Sequence, residues 1–168
     1  MRHLSDLAGL ARRTEGAAAV EFALVGPFLV FFFVGLADLS FAYHDQLQLS
    51  AALAAGAQYA FTKGQTESSS ALPGDVTSFV NSISAVTLTS VSASYNNGLS
   101  GSSCYCVKGS PAVYTGPLTC GSACTDGSGS TAGKYLSISA SYAYTPMFSL
   151  DQAFLNSSFT QSVTVRLQ

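Results

Sequence analysis

From Phe22 to Ala37 the chain carries no charged residue, with Glu21 standing at the start of that run and Asp38 at its end. Extended from Ala17 to Tyr43, the stretch reaches the ~20 residues that span the hydrocarbon core of a bilayer. A carboxylate at bilayer depth costs roughly 2.5–3.5 kcal/mol on insertion scales, so it is tolerated only with a partner. No cation lies in the same segment. Glu21 therefore calls for a positive group from elsewhere, which points to assembly. The alternative is that Glu21 snorkels to the nearby interface.

The flanks orient the span. Arg2, His3, Arg12 and Arg13 precede it, and an excess of basic residues keeps that side cytoplasmic, with residues beyond about Tyr43 outside. The apolar run is longer than the core of a secretory signal, although Gly35-Leu36-Ala37 leaves conventional signal-peptidase cleavage open. Of 168 residues, about 100 remain for one small domain. A formal charge of −2 with 10% charged residues provides no electrostatic footprint for nucleic acid. The richness in Ser, Thr, Gly and Tyr suits an exported domain.

Along the chain, Gly26-Pro27 falls inside the apolar run, where proline removes a backbone bond and favours a kink. Phe28, Phe31, Phe32 and Phe33 form an aromatic band suited to lipid or interhelical packing, and Asp38 is expected near the outer interface, in reach of water. Leu49, Leu53, Ala57 and Ala60 recur at helical spacing, so the helix continues outward with a narrow apolar stripe. Gly56 and the alanines permit close approach of this chain's own sheet or of a neighbouring helix.

Thr62 to Gly74 reads as a polar loop, with Pro73-Gly74-Asp75 a turn into a helix cap. Val76, Phe79, Val80 and Ile83 then mark a short amphipathic helix. Val86, Leu88, Val91, Ala93 and Tyr95 alternate with Ser and Thr, a strand pattern with a slip near Ser90. Asn96-Asn97-Gly98 is a turn. Leu99 to Gly133 is dense in Gly, Ser and Pro. Two further strands follow, Leu136 to Tyr144 and Phe159 to Leu167, each with apolar or aromatic residues on one face and Ser or Thr on the other. Pro146 ends the first of them. The expected fold is α+β: a long N-terminal helix, a short helix, and a small antiparallel sheet leaning on the long helix.

The chemistry-bearing residues are few. Cys104, Cys106, Cys120 and Cys124 fall on the exterior side, where disulfides persist. Four cysteines allow three pairings, and Cys104 with Cys106 is sterically poor in an extended strand. Pairing across the two arms would staple the loop around Pro111 to Pro117, closing about 15 residues for roughly 3 kcal/mol in the chain-entropy model. The rivals are free thiols or a four-thiolate metal site, whose spacing here is not that of a zinc ribbon. His3 and His44 lie outside the domain core, so no Ser-His-Asp or Cys-His set can be built there. Asp75, Asp126 and Asp151 read as cap and turn residues, and Gly127 and Gly129 sit in a Ser-rich linker rather than a phosphate-binding loop. Asn156-Ser157-Ser158 fits a glycosylation pattern too short to carry weight. Neither a catalytic set nor a cofactor site is expected.

The segment Arg13-Thr14-Glu15-Gly16-Ala17-Ala18-Ala19-Val20-Glu21-Phe22-Ala23-Leu24-Val25-Gly26-Pro27 resembles the prepilin-type signal of type IV-like pilins. More narrowly it resembles the TadE-like family, pseudopilins of the tight-adherence (Flp pilus) secretion system. The close match runs over about residues 13–60; the rest agrees only in size and in its β-rich, Tyr-containing C-terminus. The resemblance implies cleavage between Gly16 and Ala17, which makes Glu21 the fifth mature residue and pairs it with the new amine of a neighbouring subunit. It divides the chain into a leader (1–16), a transmembrane helix (17–43), its extracytoplasmic continuation (44–61) and a β-rich domain (62–168) with a Cys loop at 104–124. It also implies a single-pass protein of the bacterial inner membrane with a periplasmic domain, also carried into the assembled pilus. The implied partners are a prepilin peptidase, other pilin and pseudopilin subunits, the tight-adherence inner-membrane machinery and lipid. Two other readings stay open: a signal-anchored, disulfide-stapled exported binding protein that never assembles, and a tethered thiol-redox or metal-binding protein.

Overall fold

The computed structural model describes residues 16–65, 70–109, 112–125, 129–146 and 158–167. The basic leader, Pro111, Asp126, Gly127, Asp151 and the Asn156-Ser157 pair lie outside these residues. A single helix, α1 (Ala17–Lys63), carries the whole apolar run and its continuation, with Pro27 inside it. The helix runs unbroken through Gly26-Pro27, where a kink is expected. A short helix, α2 (Leu72–Ile83), packs beside it. Then come β1 (Leu88–Tyr95), β2 (Cys104–Lys108), β3 (Val113–Leu118), β4 (Tyr135–Ala143) and β5 (Ser158–Arg166).

The α2 boundary differs from expectation. The helix begins at Leu72, so Pro73 and Gly74 belong to its first turn rather than to a preceding loop. Proline is well placed there because its missing N–H is one the helix start leaves unpaired anyway. Asp75 is accordingly a first-turn acid, not the cap, favoured by the positive end of the helix dipole.

The main sheet is antiparallel in the order β1-β4-β5. Its inner face is built by the alternation read from the sequence: Leu136, Ile138, Ala140 and Tyr142 of β4 are buried against α1 and α2. The β1–β4 register slips between Leu88 and Ser90, where the pattern of Val86, Leu88 and Val91 changes phase. On α1, Leu49, Leu53, Gly56 and Ala60 are buried. At Gly56 an added Cβ would lie 2.5 Å from Val80 Cγ2 and 3.9 Å from Ile138 Cδ1. Glycine is required there because α2 and β4 of the same chain approach the α1 backbone at that turn.

The turn after β1 is tighter than a plain hairpin. Asn96, Asn97 and Gly98 all adopt positive φ (47°, 58° and 88°), a region that asparagine and glycine tolerate best. Asn96 is fully buried. Its side-chain amide donates to the carbonyls of Ser100 (2.7 Å) and Ser103 (3.1 Å), and its oxygen accepts from the Tyr135 N–H (3.0 Å). One amide thus ties the end of β1 to the approaches to β2 and β4.

Between these lies structure that the composition concealed. The Gly-, Ser- and Pro-rich Cys segment holds a two-stranded antiparallel unit, β2-β3. Tyr105 and Gly133 join it to the approach to β4 through reciprocal backbone bonds of 2.9 and 3.0 Å. Cys104, Cys106, Cys124 and Ala132 form its own small core.

Candidate functional site

The helix divides at Asp38. From Ala17 to Ala37 no side chain is fully buried, and Phe22, Phe28, Phe31, Phe32 and Phe33 all stand open. That bare portion is about 20 residues, or ~30 Å at 1.5 Å per residue, which equals a bilayer's hydrocarbon thickness. Among the described residues this is the one helix long and apolar enough to cross a membrane. Helix α1 starts at Ala17, with Gly16 at the N-cap position. Glu21 follows on the exposed part of the helix, four residues from Ala17 and therefore on the same face. No described residue of the chain pairs with it.

At Asp38 the domain closes around the helix. Asp38 is fully buried, 0% exposed, which corrects the expectation that it reaches water. The cause is tertiary: the Tyr144 hydroxyl donates to the Asp38 backbone carbonyl (2.9 Å) and the Tyr142 hydroxyl to that of Ala42 (3.3 Å). Both tyrosines pack on Phe159 of β5. Two aromatic residues at the end of β4 thus grip successive turns of α1. Burial raises the Tyr142 pKa above its usual 10.0, helped by the negative charge of Asp45 and by Tyr144. Burial also raises that of Tyr95. His44 accepts from the Gln48 side chain (2.7 Å) on the exposed helix surface when its Nε2 is unprotonated, away from the sheet.

The cysteines join the two arms. Cys104 is bonded to Cys120 and Cys106 to Cys124, with Cα atoms 5.0 and 5.9 Å apart. Cys104 and Cys106 alternate with Tyr105 along β2 and so leave the strand on one face, toward the 120–124 segment. All four sulfurs are consumed, leaving no thiolate for the four-cysteine metal alternative.

On the side of the sheet away from α1 the three central cross-strand rows consist wholly of hydroxyl side chains. Ser94, Ser137 and Thr164 form one cross-strand row, Ser92, Ser139 and Ser162 the next, and Ser90, Ser141 and Thr160 the third. The rows are knitted by Ser90–Ser141 (2.6 Å), Ser92–Ser139 (3.0 Å) and Ser137–Thr164 (3.2 Å) bonds. The alternation with serine was visible in the sequence. The registration of all three strands into one lattice was not, because register depends on pairing.

These features define an α+β protein with a candidate membrane anchor: a bare membrane-length helix gripped at its far end by a small disulfide-bonded domain. The model of the TadE-like protein family matches residues 16–58, in agreement with the resemblance carried by residues 13–60. The match covers Gly16 and most of α1 and stops before the sheet. It supports a role associated with the tight-adherence pilus. No curated protein and no solved structure gives a significant match to the chain.

Proposed function

We propose that this chain is a minor pseudopilin of a tight-adherence pilus, held in the inner membrane by α1 with its domain in the periplasm until it assembles. The observation that carries this reading is the bare helix itself, with Glu21 exposed near its start and a TadE-like match over the same residues. A prepilin peptidase would cut after Gly16, releasing a cationic amine at Ala17. Glu21 then has a counter-charge on a neighbouring pilin or pseudopilin subunit offset along the helix axis. Either charge alone is costly in lipid, whereas the pair is tolerated, so the contact fixes register more than it adds stability. Helix packing and this charge pairing, rather than catalysis, are the mechanism.

Two measurements test the reading. Intact-mass analysis from the native host should give a chain that starts at Ala17, and Gly16 replaced by a bulky residue should retain the leader. Glu21→Gln keeps the size but removes the charge. It should insert and fold normally yet recover fewer partner subunits in pulldowns at matched membrane levels. Equal recovery by Glu21→Gln and wild type would leave the helix as an anchor only.

A further inference from the structure

The outer sheet face is not flat and open. The β2-β3 unit overhangs it, and Tyr114 of β3 reaches down so that its hydroxyl meets that of Ser137 at 2.8 Å. Between the overhang and the sheet lies a cleft of about 440 Å³, walled by the first two of the serine and threonine rows, Tyr114 and Asn97. Its size falls within the ~300–1,000 Å³ usual for small-molecule sites. Among the described residues none that line it is charged.

We propose that this cleft binds a neutral saccharide chain. Each hydroxyl of the lining offers one donor and two acceptor positions, and the bonds they make to one another use only part of that capacity. A polyol presents the same mixture of donors and acceptors and can replace or extend those bonds. A charged ligand would shed its hydration here without meeting a counter-charge, an unfavourable exchange. An apolar ligand would leave the hydroxyl rows unsatisfied. Tyr114 provides the aromatic surface for the C–H face of a pyranose ring. A polypeptide is the poorer occupant: strand addition uses a sheet edge, whereas this cleft lies on a face, and its hydroxyl floor has no pocket for side chains.

The cleft is also held in shape. The two disulfides tie β2 to the 120–124 segment, the Tyr105–Gly133 bonds join β2 to the approach to β4, and the Tyr114 ring makes T-shaped contacts with Tyr105 and Tyr135 at centroid distances of 6.4 and 6.2 Å. Such bracing reduces the ordering cost of binding. The inference is independent of the pilus reading, since it rests on residues outside the TadE-like match.

The test uses the full chain in lipid nanodiscs, with saturation-transfer NMR against cellohexaose, maltohexaose and chitohexaose, and with oligogalacturonate and an alternating Val-Thr peptide as contrasts. At least one neutral oligosaccharide should bind with a Kd of about 1 mM or tighter, and Ser139→Leu and Tyr114→Ala should each weaken it about tenfold or more. Tyr114→Phe, which keeps the ring, should bind within about threefold of wild type. If Ser139→Leu does not fold, Ser162→Leu on the edge strand takes its place, with disulfide content as the folding check. Absence of transfer from all three neutral sugars, preference for the peptide or the charged sugar, or undiminished binding by the variants would each overturn the proposal.

Discussion

The Tyr144 hydroxyl donates to the backbone carbonyl of Asp38, 2.9 Å away and 106 residues distant in the chain. That bond joins the end of β4 to the turn of α1 where the bare helix ends. The helix carbonyl has a second lone pair to offer, so the contact adds to the helix's own bonding. It places the rim of the domain at the outer end of the membrane-length segment.

Removing that grip should loosen the domain from the helix without unfolding the sheet. Tyr144→Phe should cost about 0.5–1.5 kcal/mol, the net worth of an ordinary hydrogen bond. Asp38→Ala should cost more, about 1–3 kcal/mol, because a fully buried group engaged within the fold is lost and its surroundings are left unsatisfied. Urea unfolding of the detergent-solubilised chain, followed by tyrosine fluorescence, measures both. A neutral Asp38→Ala would show that its burial is incidental.

Alkaline pH should weaken the same junction. The Tyr142 pKa is raised above 10.0 in the folded protein, so the folded state holds the phenol proton more tightly than the unfolded chain does. The stabilisation is fully present below the unfolded pKa of about 10 and is lost as pH rises toward and through the higher folded value. The melting temperature should therefore fall from about pH 10 upward, and Tyr142→Phe should show a shallower fall. Parallel curves would exclude Tyr142 as a contributor.

Gly56 should not accept a large side chain. Its Cβ position lies 2.5 Å from the Val80 methyl, so Gly56→Leu must push α2 off α1. Overpacking of this kind costs about 1–3 kcal/mol. Gly56→Ala already sets a methyl group against the fully buried, β-branched Val80, a clash that its helix-propensity gain of up to about 1 kcal/mol only partly offsets, so it should also lower the melting temperature, by less than Gly56→Leu. Hydrogen exchange should locate the Leu variant's damage in α2.

The disulfides should protect the outer unit more than the core. Cys104 and Cys120 are 16 residues apart, and Cys106 and Cys124 are 18 apart; each bridge of this span is worth roughly 3 kcal/mol in the chain-entropy model. The Cys104→Ser, Cys120→Ser double variant should increase proteolysis between residues 104 and 124 while β1, β4 and β5 stay protected. Uniform protection in that variant would mean the second bridge and the backbone bonds suffice.

How much of this was legible depended on whether the signal was local. The α1 run, the period-two alternation of Leu136 to Tyr144 and Phe159 to Leu167, and the slip near Ser90 are written in neighbouring residues and reappear in the fold. An acid that closes an apolar run, as Asp38 does, looks solvated until Tyr144 is brought from the far end of the chain against its turn. The strands β2 and β3 were hidden for a different reason. Their Gly, Ser and Pro content resembles loop, and cross-linking rather than propensity defines them. Asn96 read as a turn residue; its bonds to Ser100, Ser103 and Tyr135 became visible only once the turn was buried.

The bare helix also sets the work of extraction. Burial of each phenylalanine or leucine side chain is worth about 1.5–3 kcal/mol, and Phe22, Leu24, Phe28, Phe31, Phe32 and Phe33 are all uncovered by the protein itself. Withdrawing that surface from lipid into water would cost on the order of 10 kcal/mol or more. The described part of the domain does not reduce this cost, because its rim stops at Asp38. For a helix seated in a bilayer, departure is therefore energetically feasible only as an exchange, in which another apolar surface takes over from lipid as the helix leaves.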